Sequence, residues 1–341
     1  MSTRTPVSRF RSITSTESLV ARYARLEGRK LATLLRAGRP GAALGSVAEL
    51  ATGRNPYYAY RLGDERYQTV VVGEHELVVD AEDAGISRTL LAYGVHEHRS
   101  TVAYERELEW LAETVDGPVR LLEVGANIGY FCTVADGVLG DRARIHAVEP
   151  IPSNVDVLEE NLERNGVADR ATVDRLAFGA ADRTVEVALS THSNQHRVRE
   201  ATTDADGDET RTISVDQTTG DRYLERRGLD PASINAVRFD VEGYESEVLD
   251  GLSTVLEAPG PTVVFLELHP LELDAETQRA IVSRFAETGF EVASAVRTDA
   301  AAGVDDARRW HGLDCGVETL GDLEQAMAAS DHSIECIVRK T

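Results

Sequence analysis

Four ionisable residues follow two apolar runs in the last third of the chain. Asp240 and Glu242 come after INAVRF, and Glu267 and His269 lie within TVVFLELHP. A carboxylate or an imidazole beside a hydroxyl group can take its proton while the oxygen forms a new bond, and histidine titrates near neutral pH. Asp240, Glu242 and His269 are therefore the candidate catalytic residues.

Each of these residues also has a structural interpretation. Asp240 could cap a helix that begins near Tyr244, since the first turn of that helix would hold Glu242 and Glu245. His269 could bond the backbone of its own loop, and Glu267 is better interpreted as the partner of a neighbouring side chain. A metal ion could join Asp240, Glu242 and His269, but the sequence does not require one, so no metal site is predicted.

A second stretch with chemical potential is LLEVGANIGYF at residues 121–131. Its glycines allow a sharp turn and close backbone approach directly after an apolar run, but G-x-N-x-G is not the dinucleotide pattern G-x-G-x-x-G. Glu149 ends the next apolar run, roughly twenty residues later, where an acid can accept hydrogen bonds from ribose hydroxyls. A nucleoside-like ligand is predicted. The predicted cofactor-binding residues are Glu123, Gly125, Ala126, Asn127, Gly129, Glu149 and Pro150.

The elements that must position these residues alternate between strand and helix patterns from residue 119 onward. Such alternation predicts a parallel sheet with crossover helices, in which ligands bind beyond the carboxyl ends of the strands. Before it, QTVVVGEHELVVD predicts a hairpin around Gly73 and Glu74. We therefore divide the chain into a helical extension at 1–66 and one domain at 67–341, whose first part, 67–117, holds the hairpin or a cap. VEVALS at 185–190 predicts a strand, and the polar run at 192–196 after it either binds a carbohydrate-like acceptor or, as the favoured alternative, is a surface loop.

The composition is acidic, with 58 acidic and 36 basic residues and a net charge of −22. A nucleic-acid partner is not predicted, because such binding needs a basic surface.

The first forty residues differ from this acidic composition, with nine basic and two acidic residues. Their helical pattern predicts either a membrane-surface helix or, as the favoured alternative, a helix packed on the acidic domain. A cytoplasmic protein with peripheral membrane contact is the expected location. The three cysteines lack metal or redox spacing and are predicted to be buried thiols.

Three segments resemble FkbM-type S-adenosylmethionine-dependent methyltransferases: LLEVGANIGYF, AVEPIPSNVDVLEENLERNG and VRFDVEGYESEVLDGL. The resemblance extends from about residue 86 to the C-terminus. It implies an α/β class I methyltransferase fold (Rossmann-like), a doubly wound, mostly parallel sheet of seven strands with a reversed final strand. It also implies S-adenosylmethionine as cofactor and O-methylation of a sugar, glycan or small-molecule hydroxyl or carboxylate. The Lys-poor, acidic composition is similar to that of proteins from salt-accumulating archaea.

Two residues depart from the family pattern. Glu123 stands where the family commonly has Asp, and Arg238 stands where it commonly has Lys, so a role for that Lys does not transfer directly. The alternatives are a catalytically silent cofactor-binding scaffold in glycan biosynthesis and, less favoured, an NAD-linked oxidoreductase.

Overall fold

The computed structural model describes residues 28, 30–190, 196–199, 211–297, 313–314, 316–330 and 332–341. Residues 1–27, most of the polar run at 192–196 and Cys315 lie outside these ranges, as do the predictions made for them. Cys132 and Cys336 are buried thiols, as predicted. Within the described ranges, no helix combines the length and the apolar character needed to cross a membrane.

The central sheet has the order β13-β12-β14-β11-β10-β3-β4-β5. Strands β3, β4, β5, β10 and β11 pair in parallel, whereas β14 runs antiparallel between β11 and β12. The doubly wound class I fold and its reversed final strand are thus confirmed; the two-residue β13 adds an eighth strand at the edge. The strands of this sheet are β3 (Val119–Val124), β4 (Ala143–Val148), β5 (Ala171–Asp174), β10 (Ile234–Phe239), β11 (Thr262–Leu268), β12 (Glu291–Arg297), β13 (Leu313–Asp314) and β14 (Ile334–Lys340).

Helices cover both faces of the sheet, because consecutive strand residues point to opposite sides. Leu121 packs into one core with α4, α5 and α6, and Leu122 packs into the other core with α7 to α11. All six residues of β10 are buried, including Asn235 and Arg238, as expected of a central parallel strand covered on both faces. Besides the helical residues 30–36 of the N-terminal extension, the helices are α1 (Pro40–Thr52), α2 (Pro56–Arg61), α3 (Ile86–Tyr93), α4 (His98–Thr114), α5 (Tyr130–Leu139), α6 (Pro152–Arg164), α7 (Gly220–Arg227), α8 (Glu245–Asp250), α9 (Ser253–Glu257), α10 (Ala275–Glu287) and α11 (Leu320–Ala329).

The predicted hairpin is confirmed as β1 (Tyr67–Val72) and β2 (His75–Asp80), with Gly73 in the left-handed conformation that its turn requires. Asn161 of α6 holds it in place. The Asn161 amide accepts a hydrogen bond from the Val78 nitrogen at 2.6 Å and donates to the carbonyl oxygens of Val78 and Ile128 at 3.0 and 2.8 Å. The hairpin is therefore tied to the turn that follows β3.

Part of the N-terminal extension packs on the domain. The ammonium group of Lys30 is buried 3.9 Å from the ring centre of Tyr93, and the Arg39 guanidinium donates to the carbonyl oxygens of Tyr93 and Val71. Leu34 is buried in this contact, whereas Leu35 is exposed. From Lys30 onward, the described part of the extension thus contacts α3 and the hairpin.

A second sheet, which we did not predict, lies beside the carboxyl ends of β4 and β10. It has four strands in the order β6-β9-β7-β8. The first four residues of the predicted strand VEVALS lie in β7. The strands are β6 (Ala177–Phe178), β7 (Arg183–Ala188), β8 (Arg197–Arg199) and β9 (Thr212–Thr218).

Candidate functional site

A cleft opens at the carboxyl ends of β3, β4 and β10, beneath the second sheet. It is partly open to solvent and lined mainly by apolar surface with a few polar groups, as small-molecule sites usually are. The lining residues used below are His96, Gly125, Ala126, Asn127, Tyr130, Phe131, Glu149, Pro150, Phe178, Val187, His196, Val198, Arg238, Asp240 and Glu242. The sheet therefore brings together most of the predicted site residues.

The turn after β3 forms one wall because its glycines adopt conformations that other residues avoid. Gly125 has φ +75°, and a Cβ atom there would lie 2.8 Å from the carbonyl oxygen of Asp240. Its nitrogen and that of Ala126 both donate to the Val148 oxygen. Gly129 has φ +85° and precedes α5, but it is not among the residues that line the cleft. Its role is the close packing against Leu158.

Glu149 lies at the end of β4, in the cleft, and is almost fully buried. Its carboxylate accepts hydrogen bonds from the backbone nitrogens of Asn127 and Ile151 at 2.8 and 3.0 Å. Burial raises the pKa of Glu149 to about 7, although these bonds oppose the shift. Glu149 thus fixes the turn after β3, and contact with a ribose remains a prediction.

Glu123 lies behind the cleft, outside the residues that line it. Its carboxylate accepts from Arg238 at 2.8 Å, and both side chains are buried. The Arg238 guanidinium lies 3.5 Å from the ring centre of Phe131 and 5.2 Å from that of Phe265. Arg238 itself lines the cleft, so Glu123 can influence a ligand through Arg238 but does not border the ligand space itself.

Asp240 does not cap the following helix. The helix α8 begins at Glu245 with Tyr244 before it, and no side chain among the described residues caps it. Oδ1 of Asp240 is buried and has no hydrogen-bond partner among the described residues, and Oδ2 lies 4.0 Å from Arg238. Burial, followed by the charges of Glu267 and Glu242, raises the pKa of Asp240 well above its ordinary value.

Glu242 lines the cleft with Asp240, whereas His269 lies just behind it. The His269 Nδ1 atom is 2.6 Å from Glu245 Oε1, and its Nε2 atom is 3.4 Å from Glu242 Oε2. Burial opposes a charge on His269, but Glu267, Glu245 and Asp240 outweigh it and raise its pKa to about 10. Without a competing ligand, His269 therefore carries a proton at neutral pH and cannot act as a base.

Glu242 is one of three residues other than glycine with positive φ in the described chain, at 51°. The other two, Glu97 and Asn127, have φ 42° and 51° and also lie at or beside the cleft. Such conformations store strain and concentrate at functional sites. Strained backbone from three separate segments of the chain therefore lies at or beside the cleft.

A further carboxylate group behind the cleft was missed in the sequence. Glu97, Glu267 and Glu335 place one oxygen each within 4.8 Å of one another. Glu97 pairs with His96 at 3.0 Å, and Glu335 accepts from Ser100. Glu97 directly precedes α4 and Glu335 lies in β14, so no local pattern could have connected them with Glu267.

Arg197 was also missed as a site residue, and His196 was considered only within the polar run. Arg197 is half-exposed at the rim, 3.4 Å from Glu242 and 2.8 Å from Glu272. His196 lines the cleft, although the polar run to which it belongs was predicted to be a surface loop. The sequence signal that could have identified this part of the site was a run of hydrogen-bonding residues next to a predicted strand.

Residues 123–292 match the methyltransferase FkbM domain. The chain is 31% identical over 165 residues to a protein of Haloferax volcanii named hexuronic acid methyltransferase AglP; the match covers 47% of this chain and 59% of that relative. Among solved structures, methyltransferase FkbM from Methylobacillus flagellatus KT is 14% identical with a TM-score of 0.39, covering 86% of this chain and 60% of the other. A methyltransferase from Agrobacterium tumefaciens is 11% identical with a TM-score of 0.41, covering 82% and 71%.

Proposed function

The chain belongs to the FkbM methyltransferase family, and from that premise we propose that it transfers a methyl group from S-adenosylmethionine to an oxygen of a sugar, glycan or small molecule. The observation that carries the proposal is the cleft in which the Gly125 turn, Glu149 and Asp240 meet. The acceptor oxygen belongs to a hydroxyl or a carboxylate group. S-adenosylmethionine, when bound, supplies an electrophilic methyl group.

Three features of the cleft fit this cofactor. Gly125 lets the turn that lines the cleft pack directly against the Asp240 backbone, where a side chain would clash. The Glu149 carboxylate stands at the end of β4, where ribose hydroxyls bind in related architectures. Phe178, Val187 and Val198 add an apolar wall suited to an adenine ring.

The roles of this chain's residues follow from their positions. Glu149 accepts from the ribose hydroxyls, and the second sheet excludes water from the cleft. Glu242, which lines the cleft, takes the proton that a hydroxyl acceptor loses as its oxygen bonds the methyl carbon; the sulfur keeps the electron pair of the broken bond. A carboxylate acceptor needs no base. Arg197 at the rim is a cation able to meet the carboxylate of a uronic acid.

The similarity to a hexuronic acid methyltransferase supports a sugar acid as the first acceptor to test. The chain spans about three-fifths of that relative's length, so the acceptor is part of the proposal. The peripheral membrane contact of the basic N-terminus is likewise proposed, and vesicle flotation of the full chain and of a variant without residues 1–27 tests it. Equal flotation of both proteins would refute it.

Calorimetric titration with S-adenosylmethionine, S-adenosylhomocysteine and NAD tests the cofactor. We expect saturable binding of the first two and a roughly 10- to 100-fold loss in Glu149→Gln, since a hydrogen bond to a charged group contributes about 1.5–3 kcal/mol. Glu160→Gln is the matched control, because Glu160 lies on α6 and is 51% exposed. Binding of NAD alone would refute the proposal, and binding of none of the three by folded protein would equally refute it.

A further inference from the structure

We propose that Asp240, Glu242 and His269 form a binding site for one divalent cation of the Mn²⁺ type. Each of the three residues offers a ligand atom, and these atoms lie within 4.8 Å of one another. Their side chains are only 10% to 12% exposed. Asp240 and Glu242 follow β10 and His269 follows β11, so two neighbouring strand ends present the three groups at one point.

The orientation of His269 is the first reason. Its Nδ1 atom donates to Glu245 Oε1 at 2.6 Å, and the Glu245 side chain is completely buried. The Nε2 atom then faces Glu242 Oε2 at 3.4 Å and Glu267 Oε1 at 3.7 Å. Histidines that bind metals usually donate their other ring nitrogen to a carboxylate, which fixes the ring and its tautomer. In this protein, Glu245 is the carboxylate that accepts from the second ring nitrogen of His269.

The second reason is the unsatisfied oxygen of Asp240. A proton on His269 provides a donor for Glu245 and Glu242, but Oδ1 of Asp240 keeps no partner among the described residues. Buried polar atoms rarely remain unsatisfied. A cation between the three residues would satisfy Asp240 as well, so it accounts for one observation that the protonated histidine does not.

The third reason is the excess of carboxylates. Among the described residues, more acidic than basic side chains surround this region. The carboxylates are those of Asp240, Glu242, Glu245, Glu267, Glu97 and Glu335, and the nearby basic groups are those of His96, Arg238, His269 and the half-exposed Arg197. Buried carboxylates without compensation are strongly unfavourable. A divalent cation supplies two positive charges at the point where the carboxylates converge.

A neighbouring group of three carboxylates is the alternative location for the cation: Glu97, Glu267 and Glu335. Its Glu335 Oε1 atom also lacks a hydrogen-bond partner among the described residues, and Glu335 is 4% exposed. We favour the first group because it includes an imidazole and because two of its members border the cleft. A cation there has open positions toward the ligand space, whereas Glu97 and Glu335 already contact His96 and Ser100.

Two carboxylates and one imidazole fit Mn²⁺ and related cations rather than metals that prefer thiolates. The remaining positions are free for water or for an oxygen of the acceptor. A bound cation would lower the pKa of an acceptor hydroxyl and orient it toward the methyl group. Glu242 offers the cation one oxygen, and its second oxygen would take the hydroxyl proton. The cation site rests on geometry alone, and only its role with the acceptor rests on the proposed function.

The test uses chelator-treated full-length protein in concentrated potassium chloride, which suppresses weak binding to the acidic surface. Mn²⁺ is titrated while the electron paramagnetic resonance signal of the free ion is recorded, and spin-echo spectra report nitrogen coupled to the bound ion. We expect one saturable site per chain with a nitrogen ligand. In Asp240→Asn and His269→Gln the affinity should fall at least about tenfold, and His269→Gln should lose the nitrogen coupling.

Two controls make the result decisive. Glu160→Gln should leave Mn²⁺ binding unchanged, and Glu335→Gln should reduce it less than His269→Gln does. Absence of a saturable site, or a site abolished by Glu335→Gln and retained in His269→Gln, would overturn the proposal. Binding of S-adenosylhomocysteine to the same chelator-treated samples is measured in parallel, so loss of the metal site can be separated from failure of the methyltransferase proposal.

Discussion

Glu149→Gln should change the pH dependence of stability in a defined direction. In the folded protein, burial holds the pKa of Glu149 at about 7 against an ordinary value of 4.5. The folded chain thus binds a proton that the unfolded chain has released, and the free energy of unfolding falls as the pH rises between these values. At about 1.4 kcal/mol per pH unit, the loss is about 3 kcal/mol. The substituted glutamine side chain cannot ionise, so this loss is absent in the variant.

The assay is urea-induced unfolding followed by tryptophan fluorescence, at steps from about pH 5 to about pH 8 in the same salt. The difference in unfolding free energy between wild type and Glu149→Gln removes contributions that both proteins share. We expect wild type to lose about 3 kcal/mol relative to the variant across this range, and Glu160→Gln to run parallel to wild type. A constant difference for Glu149→Gln would refute the reasoning.

S-adenosylhomocysteine provides a second measurement of the same group. Ribose hydroxyls that donate to the Glu149 carboxylate favour its ionised form, so binding must lower the pKa of Glu149 and release a proton. The affinity should therefore increase with pH, by up to about tenfold per unit below pH 7, and should be flat in Glu149→Gln. Equal pH dependence in both proteins would show that the ligand does not contact Glu149.

Three further predictions concern the frame of the cleft. Gly125→Ala should abolish saturable binding of S-adenosylhomocysteine in calorimetry, because φ is +75° and the added Cβ meets backbone at 2.8 Å; unchanged affinity would contradict this. Asn161→Ala should lower the free energy of unfolding by about 1–3 kcal/mol and speed amide exchange at Val78, because buried backbone groups lose their partner; unaltered exchange would show that the hairpin is held otherwise. Glu123→Gln should cost about 3–5 kcal/mol in urea unfolding by leaving Arg238 buried without its carboxylate, and adding Arg238→Met should recover most of the loss; a double variant no better than the single would contradict the ion-pair explanation.

Local sequence determined the parts of this protein that depend on neighbours along the chain. The alternation of apolar runs and helical patterns predicted the sheet, because each strand and helix must bury one face. Gly125 and Gly129 predicted the turn after β3, because a positive φ is a property of single residues. The positions of Asp240 and Glu149 at the ends of predicted strands were sufficient to predict both as site residues.

Only the tertiary structure decided which side chains meet. Glu123 looked like a ligand contact in the sequence, but β3 and β10 pair so that Glu123 and Arg238 lie side by side, and the two charges neutralise each other behind the cleft. Likewise, β11 and β14 place Glu267 opposite Glu335, and the start of α4 brings Glu97 to them. Glu245, which the sequence assigns to a helix start, becomes the buried partner of His269. These contacts depend on strand register and helix packing between distant segments, and no local periodicity records them.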